Sequence, residues 1–106
     1  MFYNLKTVFS RAFLFSFLFL AANSNASEVF NVESTYKRTC AVCHDSGAAG
    51  APRKGTTAWA PRLAKGHDVL LANSKKGVGA MPPKGLCQEC SDEQLSALIK
   101  YMSAQP

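Results

Sequence analysis

Two C-x-x-C pairs, Cys40-Ala41-Val42-Cys43 and Cys87-Gln88-Glu89-Cys90, restrict this chain more than any other feature, and only the first is followed directly by a histidine, His44. In C-x-x-C-H the two thiols add across the vinyl groups of a haem to give thioethers, and the adjacent imidazole reaches the iron from the same turn of chain. Cys40, Cys43 and His44 therefore read as one side of a covalent haem site. Two C-x-x-C pairs also suggest a four-cysteine zinc site. Against it stand the single histidine and a separation of about 43 residues between the pairs, where compact zinc modules have roughly 15–20. Thiol–disulfide exchange would need a thioredoxin-like alternation of strands and helices, which the sequence lacks.

The haem reading fits what precedes and surrounds the motif. Lys6 and Arg11 are the only charges before an apolar run from Ala12 to Ala22, and Ser24-Asn25-Ala26 follows with small residues at its ends. This is the layout of a secretory signal peptide over residues 1–26, with cleavage expected after Ala26 and a run too short for a membrane-spanning helix. Removing it takes the formal charge from +5 to about +3 and leaves a domain, residues 27–106, of about 80 residues. So small a domain buries little apolar surface and normally carries a disulfide, metal or cofactor. A charge this modest, with no basic stripe interleaved with aromatics, gives no support to nucleic-acid binding.

Along the exported part, Val29, Val32, Tyr36 and Cys40 follow one another at helical spacing and predict a helix over Ser27 to about Thr39. Asp45 to Ala58, rich in Gly, Ala, Pro and Thr, has no period and is expected to wrap something as a loop. Pro61 suits a short turn through Ala64, and a second helix is expected over His67 to Ser74, ended by Gly77. Gly77 to Gly85 shows no strand pattern. Ser91 with Gln94 forms a capping box, Asp92 and Glu93 suit the first turn, and Leu95, Leu98, Ile99 and Met102 make one apolar helical face. Long loops in so small a chain imply that a cofactor supplies the missing core.

An electron carrier closes the sixth position of its iron with a second ligand, for which the candidates are Met81, Met102 and His67. Met81 is favoured because Gly79-Ala80-Met81-Pro82-Pro83 presents it on a rigid loop. Met102 lies on the apolar face of the last helix, where core packing is expected, and His67 near a helix start is expected to be exposed or capping.

The chain resembles the class I cytochromes c, and specifically the cytochrome c5 family. The resemblance rests on Tyr36-x-x-x-Cys40-Ala41-x-Cys43-His44, Gly47-Ala48-Ala49-Gly50-Ala51-Pro52, Trp59-Ala60-Pro61-Arg62, Ala80-Met81-Pro82-Pro83-Lys84-Gly85 and Cys87-x-x-Cys90-Ser91-Asp92-Glu93. It implies an all-α fold, three to four helices and long loops around one covalently attached haem c, with the first and last helices crossing. It implies iron held by His44 and Met81, and a disulfide between Cys87 and Cys90 that fixes the start of the last helix. Closing so short a loop is worth only about 2 kcal/mol. A redox-active pair is the functional alternative for these cysteines, since Cys90 lies near a helix N-terminus. The resemblance further suggests that the Pro52 carbonyl accepts the second imidazole proton of His44, that Trp59 and Arg62 hold a propionate, and that Leu63, Leu70, Leu98 and Ile99 wall the haem. Tyr36 and Tyr101 are expected to pack where the end helices meet. The implied function is periplasmic shuttling of single electrons in a Gram-negative bacterium, with no enzyme activity and no stable membrane insertion after signal cleavage. Partners would be periplasmic or membrane-bound donors and acceptors, such as a terminal oxidase or reductase. Lys54, Lys65, Lys75, Lys76 and Lys84 are candidates for steering an acidic patch on such a partner.

Overall fold

The computed structural model describes residues 29–106, and the signal peptide expected over 1–26 lies outside them. Among the described residues there are five α-helical segments and no strand: α1 (Val32–Thr39), α2 (Ala41–His44), α3 (Ala60–Leu63), α4 (His67–Lys76) and α5 (Asp92–Ser103). Short 3-10 turns at Ala48–Gly50 and Thr57–Trp59 punctuate the long loop after α2. The all-α expectation holds. The helix count exceeds three to four because α2 and α3 are single turns. Cys40, between α1 and α2, keeps right-handed helical dihedrals (φ −99°, ψ −32°), so the chain bends there rather than stopping.

Helix α1 starts later than the periodicity predicts. Asn31 caps it by accepting a hydrogen bond from the Ser34 N–H at 2.8 Å, and cap residues hold non-helical backbone. The chain before the cap is therefore outside the helix, and Val29 is 88% exposed instead of continuing the apolar stripe. From Val32 onward the spacing works, and Tyr36 is buried. Helix α4 begins at His67 as expected and runs two residues past Ser74 to Lys76, with Gly77 as its C-cap. Helix α5 has both halves of its capping box: the Gln94 N–H donates to Ser91 Oγ at 3.2 Å, and the Ser91 N–H donates to Gln94 Oε1 at 2.9 Å.

Helix α5 is the centre of the packing, with α1 and α4 both against it. Its Leu95, Leu98, Ile99 and Met102 are all buried and form the core with Tyr36, Trp59, Leu70 and the second cysteine pair. Each such aliphatic side chain contributes about 1.5–3 kcal/mol on burial. Tyr36 of α1 meets Tyr101 of α5 edge to face, with centroids 5.2 Å apart, as expected of the end helices. His67 joins α4 to α5 through Nε2 and Ser96 Oγ, 2.7 Å apart. The loop after α2 is tied down by the Gly55 N–H to the Met102 carbonyl (2.9 Å) and by Gln105 Nε2 to the Thr56 carbonyl (2.8 Å).

Candidate haem site

A cavity of about 760 Å³ opens between α2, the α3–α4 segment, the loop before Cys87 and the inner face of α5. That lies within the roughly 300–1,000 Å³ of cofactor and ligand sites. Cys43 and His44 line it from α2 and Cys40 from the cap before it, Met81 from the loop after α4, and Ile99 and Met102 from α5. The single helical turn of α2 is what places two thiols and an imidazole on one wall.

His44 is buried, and its Nδ1 lies 2.8 Å from the Pro52 carbonyl oxygen. A carbonyl only accepts, so Nδ1 carries a proton, and in the neutral tautomer this selects Nε2 has its lone pair free for a ligand. The Trp59 ring lies nearly parallel to the imidazole, 23° between planes and 5.6 Å between centroids. Backbone contacts add to this grip. The Lys54 N–H donates to the His44 carbonyl at 2.7 Å, and Arg53 Nε donates to the Asp45 carbonyl at 2.8 Å. The Tyr36 hydroxyl donates to Asp45 Oδ1, which fastens the end of α2 to α1. Burial and the Asp45 carboxylate together push the Tyr36 phenol well above the usual tyrosine range. Burial likewise raises the Cys40 thiol, an effect eased by the Thr39 hydroxyl 3.3 Å away.

Met81 sits on a tight loop closed by reciprocal backbone bonds with Val78, at 3.0 Å and 2.9 Å. His67, turned toward Ser96, is not among the residues lining the cavity, whereas Met102 is buried in the core and reaches the cavity floor. The charged residues in the lining, Arg62 and Lys65, are both cationic. A wall of that sign suits an acidic group. Trp59 differs from expectation as a propionate partner: its one N–H donates to the Arg53 carbonyl at 3.0 Å, so it offers the cavity a ring face rather than a donor. Leu63 requires a correction. It is 38% exposed and does not line the cavity, where α3 contributes Pro61 and Arg62 and leaves Leu63 on the outer side of the turn. Leu70 and Ile99 line the cavity, whereas Leu98, expected beside them, is buried in the helical core and is not part of the lining.

The second cysteine pair stands apart from this site. Cys87 and Cys90 are both buried, with Cα atoms 5.4 Å apart, within the usual span of a disulfide. Among the described residues no three His, Cys, Asp or Glu side chains gather as a metal site, so the four-cysteine zinc arrangement is not assembled.

Three of the five lysines considered for steering are engaged within the molecule. Lys75 pairs with Asp92 at 2.7 Å, Lys84 Nζ donates to the Cys90 carbonyl at 2.9 Å, and the Lys54 ammonium lies over the Tyr101 ring, 4.6 Å from its centroid. Lys65 at the cavity rim and the exposed Lys76 remain. The roles of Arg53, Tyr36 and Asp45 around His44 were not foreseen. Their signal was weak, since Arg53 sits in an aperiodic loop and Tyr36 already read as core.

Two free thiols and an oriented imidazole on one turn, facing an apolar cavity with cationic walls, fit a covalently attached haem. An all-helical chain of this size with that site defines a small single-haem c-type cytochrome. Residues 28–102 match the family described as "Cytochrome C oxidase, cbb3-type, subunit III". Cytochrome c5 of Azotobacter vinelandii is 51% identical over 67 residues, 60% of this chain and 81% of that protein. A mono-heme ferrocytochrome c from Shewanella putrefaciens superposes with a TM-score of 0.64 at 45% identity, covering 74% of this chain and 99% of the other. A chain in the electron transfer complex of nitrite reductase with cytochrome c gives 0.62 at 49% identity, covering 67% and 88%. The chain belongs to the cytochrome c family. It is an electron-transfer protein with one covalently bound haem c, and not an enzyme.

Proposed function

We propose that this cytochrome is a periplasmic shuttle whose iron is closed on both faces, by His44 and Met81, and that it exchanges single electrons with donor and acceptor proteins. The observation that carries the reading is the shared cavity: the imidazole, held by Pro52, leaves Nε2 for the iron, and Met81 belongs to the same lining while His67 does not. Haem supplies an iron that gains and loses one electron, and a thioether ligand raises its potential relative to a second imidazole. Cys40 and Cys43 tether the group, and the apolar wall of Leu70 and Ile99 keeps water from it. Arg62 and Lys65, the charged residues of the lining, would balance the acidic propionates, and Lys65 with Lys76 would steer the partner.

Export depends on cleavage after Ala26, with 27–106 as the working domain. Among the described residues no helix is long and apolar enough to cross a membrane. Cys87 and Cys90 form a disulfide that braces the start of α5, suited to an oxidising compartment. The partner class takes support from the nitrite reductase complex that contains a similar cytochrome; a terminal oxidase or reductase is the acceptor class proposed.

The test is a reduced-minus-oxidised spectrum of the mature protein and of Met81→Ala, with carbon monoxide added to each reduced form. Slow binding to the parent and rapid binding to Met81→Ala is the expected result. Rapid, tight binding to the parent refutes a stable Met81 ligand; slow binding to both the parent and Met81→Ala refutes it as well, and Met102→Leu then tests the other methionine of the cavity.

A further inference from the structure

Lys84 has a left-handed backbone, φ +59°, one of two non-glycine residues among those described to do so. Glycine takes that conformation without strain, and lysine does not. A strained residue is retained where its side chain does something that glycine cannot. Here the half-buried Lys84 Nζ donates to the carbonyls of Cys90 at 2.9 Å and Gln88 at 3.3 Å. Its backbone N–H donates to the Ser74 carbonyl at 2.7 Å, and its own carbonyl accepts from the Cys87 N–H at 3.1 Å. Gln88 Nε2 returns to the same segment, on the Pro83 and Gly85 carbonyls at 2.9 and 3.1 Å. The residues directly after Met81 are thus fixed to α4 on one side and to the Cys87–Cys90 turn on the other. The Met81 Cε lies against this segment, 3.6 Å from where a Cβ on Gly85 would stand.

We propose that Lys84 is a positioning residue for Met81, its ammonium clamping the ligand loop onto the Cys87–Cys90 turn. This inference rests on the reading that Met81 binds the iron. A methionine on a loop leaves the iron whenever the loop opens, and the open fraction is set by the contacts that closure makes. The Lys84 ammonium on backbone carbonyls is a charge-assisted contact of the stronger kind. The Cys87–Cys90 turn acquires a role in ligation without touching the cavity itself, and Lys84 is withdrawn from partner steering.

Lys84→Gly is the informative variant, because it relieves the backbone while deleting the ammonium. A merely structural lysine predicts an unchanged or improved protein. The clamp predicts faster carbon monoxide binding to the reduced haem-loaded protein by about tenfold, the factor set by losing one charge-assisted hydrogen bond. Lys84→Leu, which keeps an aliphatic stem without a donor, should show the same acceleration, and both variants should have a lower reduction potential. Parent-like binding rates and potentials in either variant overturn the proposal. Parent protein and Met81→Ala, measured alongside, separate the two levels: if the parent already binds as fast as Met81→Ala, the ligand assignment has failed and the clamp falls with it. A slow parent with equally slow Lys84 variants rejects the clamp alone.

Discussion

Gly66 and Gly77 flank α4 with nearly the same backbone, φ +95°, ψ 149° and φ +81°, ψ 155°. Side-chain-bearing residues essentially never adopt this region, and forcing one there costs about 1–3 kcal/mol. Their surroundings differ. A Cβ built on Gly66 meets nothing within 4 Å, whereas one on Gly77 would lie 2.8 Å from the Met81 carbonyl oxygen, 2.9 Å from the Pro83 nitrogen and 3.1 Å from the Pro82 carbonyl carbon. All three are backbone atoms that cannot swing aside. Gly66→Ala therefore measures the dihedral cost alone, and Gly77→Ala adds an overpacking cost of about 1–3 kcal/mol, for roughly 2–6 kcal/mol in total. Against a stability of about 5–15 kcal/mol, and at about 4–8 °C per kcal/mol for a domain of this size, the two variants should be separable by thermal melts of the haem-loaded protein. The clash falls on the loop that carries Met81, so Gly77→Ala should also accelerate carbon monoxide binding, while Gly66→Ala should not. Equal melting points and equal binding rates for the two variants would refute the reasoning, since only the contact with the Met81 loop distinguishes them.

Tyr36 predicts an alkaline limit to stability. Its phenol is held above the usual tyrosine range by burial and by Asp45, so below pH of about 10 it is protonated in folded and unfolded chains alike and its contribution is complete. Above that the unfolded chain ionises first and stability falls as pH rises; Tyr36→Phe should show a shallower decline in alkaline melts. Leu98→Ala, at a position 1% exposed in the centre of α5, should cost about 2–5 kcal/mol by denaturant titration. Ser91→Ala removes one half of the capping box and should cost about 1 kcal/mol in the same titration, with the visible spectrum unchanged.

Helix α5 was legible down to its cap, because a capping box and a 3.6-residue apolar period are local signals that the fold has no reason to override. The C-x-x-C-H turn was equally legible, its spacing being set by the chemistry of attachment. Val29 failed because periodicity does not announce where a helix starts; the Asn31 cap does, and it lies two residues later. Leu63 failed for a different reason. The family resemblance places it on the haem wall, but the single turn of α3 gives the cavity Pro61 and Arg62 and leaves Leu63 outside. Lys84 shows a third kind of opacity. Nothing about a lysine in Pro82-Pro83-Lys84-Gly85 says that its ammonium is used on backbone carbonyls rather than left for a partner, since those carbonyls carry no side-chain identity.

Loops, rather than helices, finish this site for the same reason. His44 is held through the carbonyl of Pro52, the amide of Lys54 and the ring of Trp59, which reach it from the segment with no periodicity. Met81 is held through amides and carbonyls of Val78, and the residues just after it are held from Ser74 and the Cys87–Cys90 turn. A helix consumes its amides and carbonyls in its ladder except at its ends, where carbonyls such as those of Ser74 and Met102 are left for a neighbour, whereas an irregular segment must place every one of them somewhere. Wrapped around the two proposed ligands, those obligatory bonds fix the turn that bears His44 and the loop that bears Met81. Shortening the Met81 loop should therefore harm ligation before it harms the helical core, because α1 and α4 each pack on α5 through Tyr36, Leu70 and Leu98, none of which lies in that loop. A version lacking residues 78–80 should keep helical circular dichroism while its reduced form binds carbon monoxide at the rate of Met81→Ala. Parallel loss of helix and ligation would show instead that the loops and the helices fold as one unit.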